Sequence, residues 1–538
     1  MPDKLTYFFA NGRADGRLTD RDRLGGKGAY LADLTRAGLP VPPGFTIVAD
    51  AADAMPADGT LHADVARSMT KLEKATAKRF GDPKRPLLVA VRSGAAVSMP
   101  GMMETVLNVG LTTIVADAWA VASADDTIAR FVYDSYRRLI AMYARAVDGV
   151  RTTRFEDLLF DARRDAAVDD ERLIPAGPMR DVAMRSLAAY ETLTGRSFPQ
   201  QATEQFAGAI RAVFASSGGR RAIAYRDRHA ITDARTACTV QAMVFGNAGP
   251  DSCAGVAFTR DPSSGKNELA GEFIVGAQGE DVVAGTHTPL NCRKWFPKWN
   301  RALWDELLAL GRTLEARYAD AQDFEFTVDR GQLFLLQTRT AKRTPAAAVR
   351  IAVEMEKVGM IDRNTALTRV DPVAVRALAT ALPPVFDKRH LPAAIAAGIA
   401  AAPGVAGGRL AFTAADAAAR ASAGERILLV RPETSADDVF AFEHVAGILT
   451  SSGGLTSHAA LEARAADKPC VVGATPLAIH PNGQSVVIGT GRRAKTFTAA
   501  DTLSIDGVTG RVYAGNVPTV PARPTPAVRT FLKWLDGG

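Results

Sequence analysis

The segment Gly447-Ile-Leu-Thr-Ser-Ser-Gly-Gly-Leu-Thr-Ser-His-Ala-Ala-Leu-Glu-Ala-Arg464 runs from a short apolar strand through two glycines into a helical stretch. The glycines allow a tight turn, and Thr456 and Ser457 are both suitable N-cap residues. This order predicts that His458 lies in the first turn of the helix. There the free N–H groups and the positive helix end favour a neutral, nucleophilic imidazole and would stabilise an anion attached to it. The alternative is a structural histidine satisfied at a helix start.

Strands and helices alternate on both sides of this segment. Further apolar strands are predicted at 427–430 and 470–472, and helices at 436–443 and 459–466. Together they indicate a compact β/α domain over 396–515.

The rest of the chain divides by changes in pattern. Residues 1–343 mix short apolar strands with glycine-rich turns, and apolar residues recur at helical spacing inside them over about 112–215. We therefore predict a multi-domain α/β and α+β protein with the following parts: a nucleotide-binding domain at 1–343 with a helical insertion at about 112–215, a helical linker at 344–395, the β/α domain at 396–515 and a C-terminal tail at 516–538.

Composition restricts the class of protein. A chain of 538 residues is expected to form roughly two to four domains. Its formal net charge of +7 is compatible with polyphosphate ligands, but no basic run interleaved with aromatic residues indicates nucleic acid binding. The four cysteines form no CxxC pair, and no window reaches the ~18 apolar residues of a membrane span. We expect a cytoplasmic protein with no membrane partner.

Several motifs resemble one enzyme family. The run Gly453-Gly-Leu-Thr-Ser-His-Ala-Ala460, followed by Lys468-Pro-Cys-Val471, resembles the phosphohistidine signature of the pyruvate phosphate dikinase and PEP synthase group. The runs Leu24-Gly-Gly-Lys-Gly-Ala-Tyr-Leu31 and Leu39-Pro-Val-Pro-Pro-Gly-Phe-Thr-Ile47 are similar to the opening of its nucleotide-binding domains. The stretch from Val91 to Leu111 is closer to the pyruvate phosphate dikinase form. The resemblance extends in order from about Phe8 to Trp534.

The resemblance implies an ATP-grasp domain and assigns roles to residues in it. Lys27 and Arg92 would contact the phosphates of ATP, although the glycine-rich run is not a Walker loop because Gly28 follows the lysine. Gln241 and Met243 would lie on the strand beside the adenine. A surface turn is the alternative for the glycine-rich run, a surface salt bridge is the alternative for Arg92, and a core position is the alternative for the methionine.

Glu280 and Asp281 fall in a further matching run, Gly271 to Gly285, which the resemblance places near the phosphate end of the nucleotide.

A predicted hairpin over 323–339 allows a geometric test. If Asp329-Arg330-Gly331 is a three-residue loop, Glu325, Gln337 and Arg339 share one face while phenylalanines fill the other. Oxygen ligands from the first two would suit Mg²⁺, and the guanidinium would suit phosphate. The arrangement resembles the metal and triphosphate site of ATP-grasp domains, and an ordinary exposed hairpin face is the alternative.

The family mechanism, carried onto this sequence, makes His458 attack the β-phosphoryl of ATP. Inorganic phosphate then removes the terminal phosphoryl, which leaves phosphohistidine, AMP and pyrophosphate, with Arg92 and Arg339 neutralising charge. The β/α domain would be a swivelling domain. Thr456 matches a position that some members of the family phosphorylate for control, so a regulatory kinase or phosphatase is a candidate partner.

The acceptor is the open point of this interpretation. Family members continue into a (β/α)₈ domain that binds PEP or pyruvate, and we expect this chain to lack it. The protein could work with a separate PEP- or pyruvate-binding subunit, transfer the phosphoryl group to another acceptor, or act as a non-catalytic ATP-sensing module.

Overall fold

The computed structural model describes residues 4–56, 60–97, 103–123, 125–168, 170–228, 231–233, 235–284, 288–380, 384–435, 438–455, 457–480, 483–491, 494–521 and 523–537. The chain forms two compact units. The first contains Met1–Cys253, Val275–Ala277 and Phe326–Thr338, and the second contains Ala254–Ile274, Gln278–Glu325 and Arg339–Gly538.

The first unit is built on an antiparallel sheet. Its strands are β1 (Thr6–Ala10), β2 (Arg13–Ala14), β3 (Gly44–Ile47), β4 (Arg79–Phe80), β5 (Pro86–Leu87), β6 (Val89–Ala95), β7 (Thr105–Val109) and β8 (Thr236–Ala242). Six of them pair in the order β2-β1-β3-β8-β6-β7, every pair antiparallel, while β4 and β5 form a small ribbon. The central strand β8 is buried along its whole length.

Eight helices accompany this sheet. They are α1 (Arg21–Arg36), α2 (Ala63–Thr76), α3 (Thr113–Ser123), α4 (Asp126–Asp148), α5 (Thr153–Asp165), α6 (Ala176–Thr194), α7 (Ala202–Ala215) and α8 (Arg220–Arg228). The longest, α4, begins where the Asp125 side chain accepts a hydrogen bond from the Thr127 N–H and ends at Gly149 in the left-handed region. Its apolar stripe is buried against the core of the unit. Helices α3 to α7 thus occupy the helical insertion predicted at about 112–215.

A second sheet follows along the chain. Its strands are β9 (Cys253–Phe258), β10 (Ala270–Val275), β11 (Leu290–Asn291), β12 (Gln322–Asp329) and β13 (Gln332–Thr340), in the order β11-β10-β9-β12-β13. Helices α9 (Gly279–Ala284), α10 (Cys292–Trp299) and α11 (Arg301–Tyr318) lie between them in sequence. They are followed by α12 (Pro345–Lys357), α13 (Arg363–Thr368) and α14 (Pro372–Thr380).

The C-terminal part of the second unit contains a closed barrel. The strands of this part of the chain are β14 (Val385–Phe386), β15 (Ala396–Ala402), β16 (Val405–Ala411), β17 (Ile427–Arg431), β18 (Gly447–Thr450), β19 (Cys470–Thr475), β20 (Leu477–Ile479), β21 (Ser485–Ile488), β22 (Lys495–Thr498), β23 (Thr502–Asp506), β24 (Arg511–Ala514) and β25 (Thr519–Val520). Its helices are α15 (Ala414–Ser422), α16 (Val439–Phe442) and α17 (His458–Ala465). Seven strands close in the order β15-β19-β18-β17-β16-β23-β24. The run β16-β17-β18-β19 is parallel and the remaining pairs are antiparallel.

Alternation along the parallel strands separates two apolar layers. On β17, Leu428 and Val430 join one core cluster, and Ile427 and Leu429 join the other, which also contains the helix residues of α15, α16 and α17. Because both faces of the strand are covered, its sequence is a continuous apolar run. The helix expected at 436–443 is shorter in the structure, where α16 has four residues, and residues 436 and 437 lie outside the described part.

The segment expected to be a C-terminal tail carries a last helix, α18 (Pro526–Leu535). It begins with Thr525 as N-cap and a proline in its first turn, and Val528 and Phe531 are buried in one cluster with Val349 and Met355 of α12. The end of the chain therefore packs back on the linker helices.

Two findings bear on the predicted class of protein. All four cysteines are free and buried. In the described ranges, the helices are too short or too polar to span a bilayer.

Candidate active site

His458 is the first residue of α17, as the capping pattern predicts. Ser457 is the N-cap, and its Oγ accepts a hydrogen bond from the Ala460 N–H at 3.5 Å and donates one to the Gly454 carbonyl at 2.8 Å. Gly453 has a φ of 93°, a left-handed conformation that favours glycine. This turn fixes the direction in which the imidazole leaves the helix.

The imidazole of His458 is half-buried and has a close polar neighbour among the described residues. Its Nδ1 lies 3.4 Å from the Thr434 Oγ1. Burial lowers the pKa of His458, and the carboxylates of Glu462 and Asp438 oppose that shift only in part. The ring is therefore neutral at pH 7, and its Nε2 is the nitrogen left for chemistry.

Thr434 was not singled out by sequence reasoning. It follows β17, whereas the histidine follows β18, and these neighbouring strands are parallel, so the loops after them leave the barrel at the same end. The sequence does show two apolar strands, each followed by a polar loop. Only the strand order, however, shows that these two loops lie side by side.

Lys27 and Arg92 come together in the first unit. Helix α1 is kinked at Gly25, whose φ of 65° and ψ of 170° break the helical run, so Lys27 lies in the first turn after the kink. Its Nζ donates to the Ser93 carbonyl at 2.9 Å, beside Arg92 on β6. The Arg92 Nη1 donates to the Leu336 carbonyl at 3.4 Å.

The next residue of β13 is Gln337, a predicted metal ligand, which is half-buried. In the first unit, Lys27 therefore contacts the residue next to Arg92, and Arg92 contacts the residue next to Gln337. The stretch 98–102 that follows β6 lies outside the described residues.

Gln241 and Met243 differ in what they can offer a nucleotide. The Gln241 side chain is buried and donates through Nε2 to the Pro42 carbonyl at 3.2 Å. Its amide therefore holds two segments of the protein together. Met243 follows β8, is half-buried, and donates its N–H to the Leu88 carbonyl at 2.9 Å. Of the two, Met243 has the side-chain surface that could contact a base.

In the second unit, β12 and the end of β13 carry charged residues. Arg339 binds Asp323, with its Nη2 2.8 Å and its Nε 2.9 Å from the Oδ2. Asp323 is fully buried, and burial raises its pKa while Arg339 opposes the rise. Asp323 is the first residue of the predicted hairpin and has no role in that prediction, although it stands two residues before Glu325 and so on the same face of the strand.

The predicted three-residue loop of this hairpin is wrong. Strand β12 ends at Asp329 and β13 begins at Gln332, so only Arg330 and Gly331 form the loop, with φ of 48° and 78°. Two successive positive φ values are typical of a type I′ turn, which suits the twist of a hairpin.

A two-residue loop with strict alternation would put Glu325 and Arg339 on opposite faces. Arg339 nevertheless pairs with Asp323, which shares the face of Glu325. The burial pattern of β13 explains this, because the buried positions Leu333, Leu335 and Thr338 break the two-residue period once. The ion pair with Asp323 shows that the Arg339 side chain reaches the face of Glu325 despite the two-residue loop.

Glu280 and Asp281 lie at the start of α9 in the second unit. The Asp281 carboxylate is buried and accepts the Gln278 N–H at 2.9 Å, so it caps its own turn. Glu280 is half-buried. Thr456, the predicted regulatory residue, lies outside the described residues.

The helix that carries His458 lies within electrostatic reach of the strand that carries Arg339. Lys342, just beyond β13, interacts with Glu462, and burial lowers its pKa. Arg464 of the same helix acts on the carboxylate of Asp323. The second unit thus brings the histidine helix and the Asp323–Arg339 pair into one charged region.

The predicted metal ligands have suitable donor chemistry. Glu325 offers a carboxylate and Gln337 an amide oxygen, the hard ligands that Mg²⁺ prefers, and Mg²⁺ usually completes its shell with water and substrate phosphates. Within the described ranges, no cluster of three or more His, Cys, Asp or Glu side chains could hold an ion without such additions. Each of these two side chains therefore has the donor chemistry that a magnesium ion bound with a nucleotide would use.

Comparison with protein families gives two matches. Residues 57–300 and 298–360 match the family model described as pyruvate phosphate dikinase, AMP/ATP-binding domain. Residues 424–510 match the PEP-utilising enzyme, mobile domain. The second match covers the part of the barrel that contains His458.

Curated relatives agree with the family match. The chain is 41% identical over 550 residues to pyruvate, phosphate dikinase of Rhizobium meliloti and 38% identical over 542 residues to that of Clostridium symbiosum. In each case the match covers 99% of this chain and 60% of the relative. The chloroplastic enzyme 1 of Oryza sativa is 41% identical over 99% of this chain and 56% of its own length. A charged site, a histidine-bearing barrel and these matches lead to one assignment: the chain belongs to the pyruvate phosphate dikinase AMP/ATP-binding domain family.

Proposed function

We propose that this chain performs the ATP half of a dikinase reaction, in which ATP and inorganic phosphate convert His458 to phosphohistidine and release AMP and pyrophosphate. The proposal keeps the functional division at 1–343, 344–395, 396–515 and 516–538. Pyruvate, the substrate named in the relatives, is the proposed final acceptor of the phosphoryl group, which would give PEP.

The proposed reaction has two in-line transfers. With the proton of the neutral ring on Nδ1, donating to the Thr434 Oγ1, the Nε2 lone pair of His458 attacks the β-phosphorus. The Nε2–P bond forms, the bond from that phosphorus to the α–β bridging oxygen breaks, and AMP leaves. An oxygen of inorganic phosphate then attacks the γ-phosphorus, the β–γ bridge breaks, pyrophosphate leaves, and the β-phosphoryl group stays on the ring.

Charge neutralisation is assigned to the three predicted cations. Lys27, Arg92 and Arg339 take the phosphate oxygens, because fixed cations act most strongly where charge develops in the transition state. Glu325 and Gln337 would hold Mg²⁺, which supplies electrostatic stabilisation to the phosphate oxygens when it is bound.

The remaining predicted residues have secondary parts in the proposal. Met243 contacts the adenine, and Gln241 supports that strand from inside the core. Glu280 and Asp281 shape the turn at the phosphate end.

One observation carries the proposal. The second unit holds a half-buried, neutral histidine at a helix start, and the same helix lies in electrostatic reach of the buried Asp323–Arg339 pair. A histidine with only a structural role needs neither a low pKa nor a neighbouring cation site. A phosphoryl acceptor needs both.

Labelled ATP tests the proposal. The full chain with Mg²⁺ and ATP labelled at the β-phosphorus is expected to retain label, and the label should stay when phosphate is added. Label at the γ-phosphorus should leave as pyrophosphate. A His458→Asn variant should take up no label, while His444→Asn, a change at another barrel histidine, should behave as wild type. Wild-type protein that binds ATP but takes up no label would refute the proposal and favour an ATP-sensing module.

A chase identifies the acceptor. Labelled protein should lose its label to pyruvate when a PEP- or pyruvate-binding domain is supplied with it. Label that leaves only with other small molecules would point to a different acceptor.

Control at Thr456 is a separate part of the proposal. A Thr456→Glu variant is expected to lose labelling, because a carboxylate two residues from His458 repels ATP. Full labelling of that variant would exclude this form of control.

A further inference from the structure

Arg464 is one of the most deeply buried charged residues of the barrel, with only 3% of its surface exposed. It lies on α17, six residues after His458. Its Nη1 donates to the Ala401 carbonyl of β15 at 2.9 Å, and its Nη2 donates to the Leu455 carbonyl at 2.6 Å. The guanidinium fork therefore joins the helix to a barrel strand and to the loop that precedes the helix.

The loop contact is placed where it can control the histidine. Leu455 lies three residues before His458, inside the turn that begins at Gly453. At the other end of this turn, Ser457 caps the helix and also bonds back to Gly454. The turn is thus held at two points, by Ser457 at the helix start and by Arg464 at Leu455.

The guanidinium also contacts the end of β9, a strand of the second sheet. Its central carbon lies 5.8 Å from the centre of the Phe258 ring, at the end of β9. The Ala401 carbonyl that accepts from Arg464 accepts a second bond, from the Ser263 Oγ at 3.1 Å. Arg464 therefore contacts Leu455 before the histidine helix, strand β15 of the barrel, and Phe258 of the sheet that also carries Asp323.

Burial of the Arg464 charge is costly, and the geometry of the guanidinium suggests why an arginine lies there. Removing a guanidinium from water costs several kcal/mol unless its donors are satisfied. A planar fork can donate to two carbonyls that lie in different directions, whereas a lysine ammonium would act as a single point on a flexible stem. The position therefore calls for arginine in particular.

We propose that Arg464 is a positioning residue for phosphoryl transfer, which holds Leu455 in the turn before α17 so that the His458 ring meets the phosphate in line. The inference rests on the function proposed above and deepens it. Arg464 acts through the loop and touches no substrate, so ATP binding should not depend on it. A misplacement of about 1 Å at the attacking atom can cost on the order of 100-fold in rate.

The test separates positioning from folding. We would compare Arg464→Lys and Arg464→Ala with wild type in single-turnover labelling from β-labelled ATP, together with the dissociation constant of ATP and thermal unfolding. Arg464→Lys should label ~10- to 100-fold more slowly at an unchanged ATP dissociation constant. Added guanidinium ion at low millimolar concentration should restore part of the rate of Arg464→Ala and none of the rate of Arg464→Lys.

Arg420 supplies the matched control. It is a second barrel arginine on a helix, α15, and its Nη1 also donates to a backbone carbonyl, that of Leu410 at 2.8 Å. Arg420→Lys should label at the wild-type rate.

Three outcomes would overturn the inference. These are Arg464 variants that label like wild type, a loss equal to that of Arg420→Lys, or an Arg464→Lys variant whose defect lies in ATP affinity or in unfolding. If wild type itself takes up no label, the proposed function has failed instead, so the two failures can be told apart.

Discussion

The close approach of Gly25 to Gly94 makes a sharp prediction about the nucleotide-binding unit. A Cβ added at Gly25 would lie 1.8 Å from the Gly94 carbonyl oxygen, and the backbone there has a φ of 65° and a ψ of 170°, a combination open in practice only to glycine. The Gly25→Ala change therefore adds conformational strain of about 1–3 kcal/mol and an overlap of similar cost. Together they should lower the free energy of unfolding by about 2–6 kcal/mol.

The overlap should also weaken ATP binding. Relief requires α1 to move away from β6, and the hydrogen bond from Lys27 to the Ser93 carbonyl spans this same gap. Displacing a charged donor of this kind from a phosphate costs about 1.5–3 kcal/mol, or about 10- to 100-fold in the dissociation constant. We would measure both quantities on the full chain, by urea unfolding and by titration with ATP.

Gly38→Ala is the control, because Gly38 follows the same helix, has a φ of 73°, and has nothing within 4 Å of an added Cβ. It should lose about 1 kcal/mol of stability through backbone strain alone and keep its ATP affinity. If Gly25→Ala matches Gly38→Ala in both measurements, then the close approach has no part in holding Lys27.

Three further predictions concern the second unit. Arg339→Gln should destabilise the protein by about 2–4 kcal/mol near pH 8, because it strands the buried carboxylate of Asp323. Since burial already raises the pKa of Asp323, this deficit should shrink as the pH falls and the carboxyl takes up a proton; a deficit that grows would contradict the pairing. Thr434→Val should slow labelling of His458 about 10-fold at constant ATP affinity, whereas Thr434→Ser should not. Glu462→Gln removes a carboxylate that raises the pKa of His458, so the acid limb of the labelling rate should move to lower pH, and a shift to higher pH would refute this.

Local signals in the sequence were enough for the histidine turn. An apolar strand, two glycines, a serine cap and an alanine-rich run each act over a few residues, and they placed His458 at a helix start. The hairpin loop shows where such signals fail. Arg330 adopts a left-handed φ that non-glycine residues seldom take, and a rule that allows this conformation only to glycine makes the loop one residue too long.

Contacts between distant segments could not be read from the sequence. Thr434 meets the histidine because two parallel strands end side by side, and Asp323 pairs with Arg339 from the partner strand of the hairpin. The terminal helix α18 was within reach of local rules, since Thr525 caps it and proline opens it, but its burial on α12 depends on tertiary packing. Strand order and packing partners are properties of the fold, which no single segment specifies.

The buried charges of the second unit are better explained by function than by stability. Asp323 and Arg464 are almost fully buried, and apolar residues of similar volume would often stabilise such positions as well or better. The charges are not scattered, however. They interact with one another in series, from the Asp323–Arg339 pair through Lys342 to Glu462 and Arg464 on the helix of His458. Phosphoryl transfer needs cations that are fixed before the reaction, because reorganising them during the transfer would raise the barrier. A network held rigid by burial would meet that need in the proposed reaction, and the proposed function would thereby account for charges kept where apolar packing would suffice for stability.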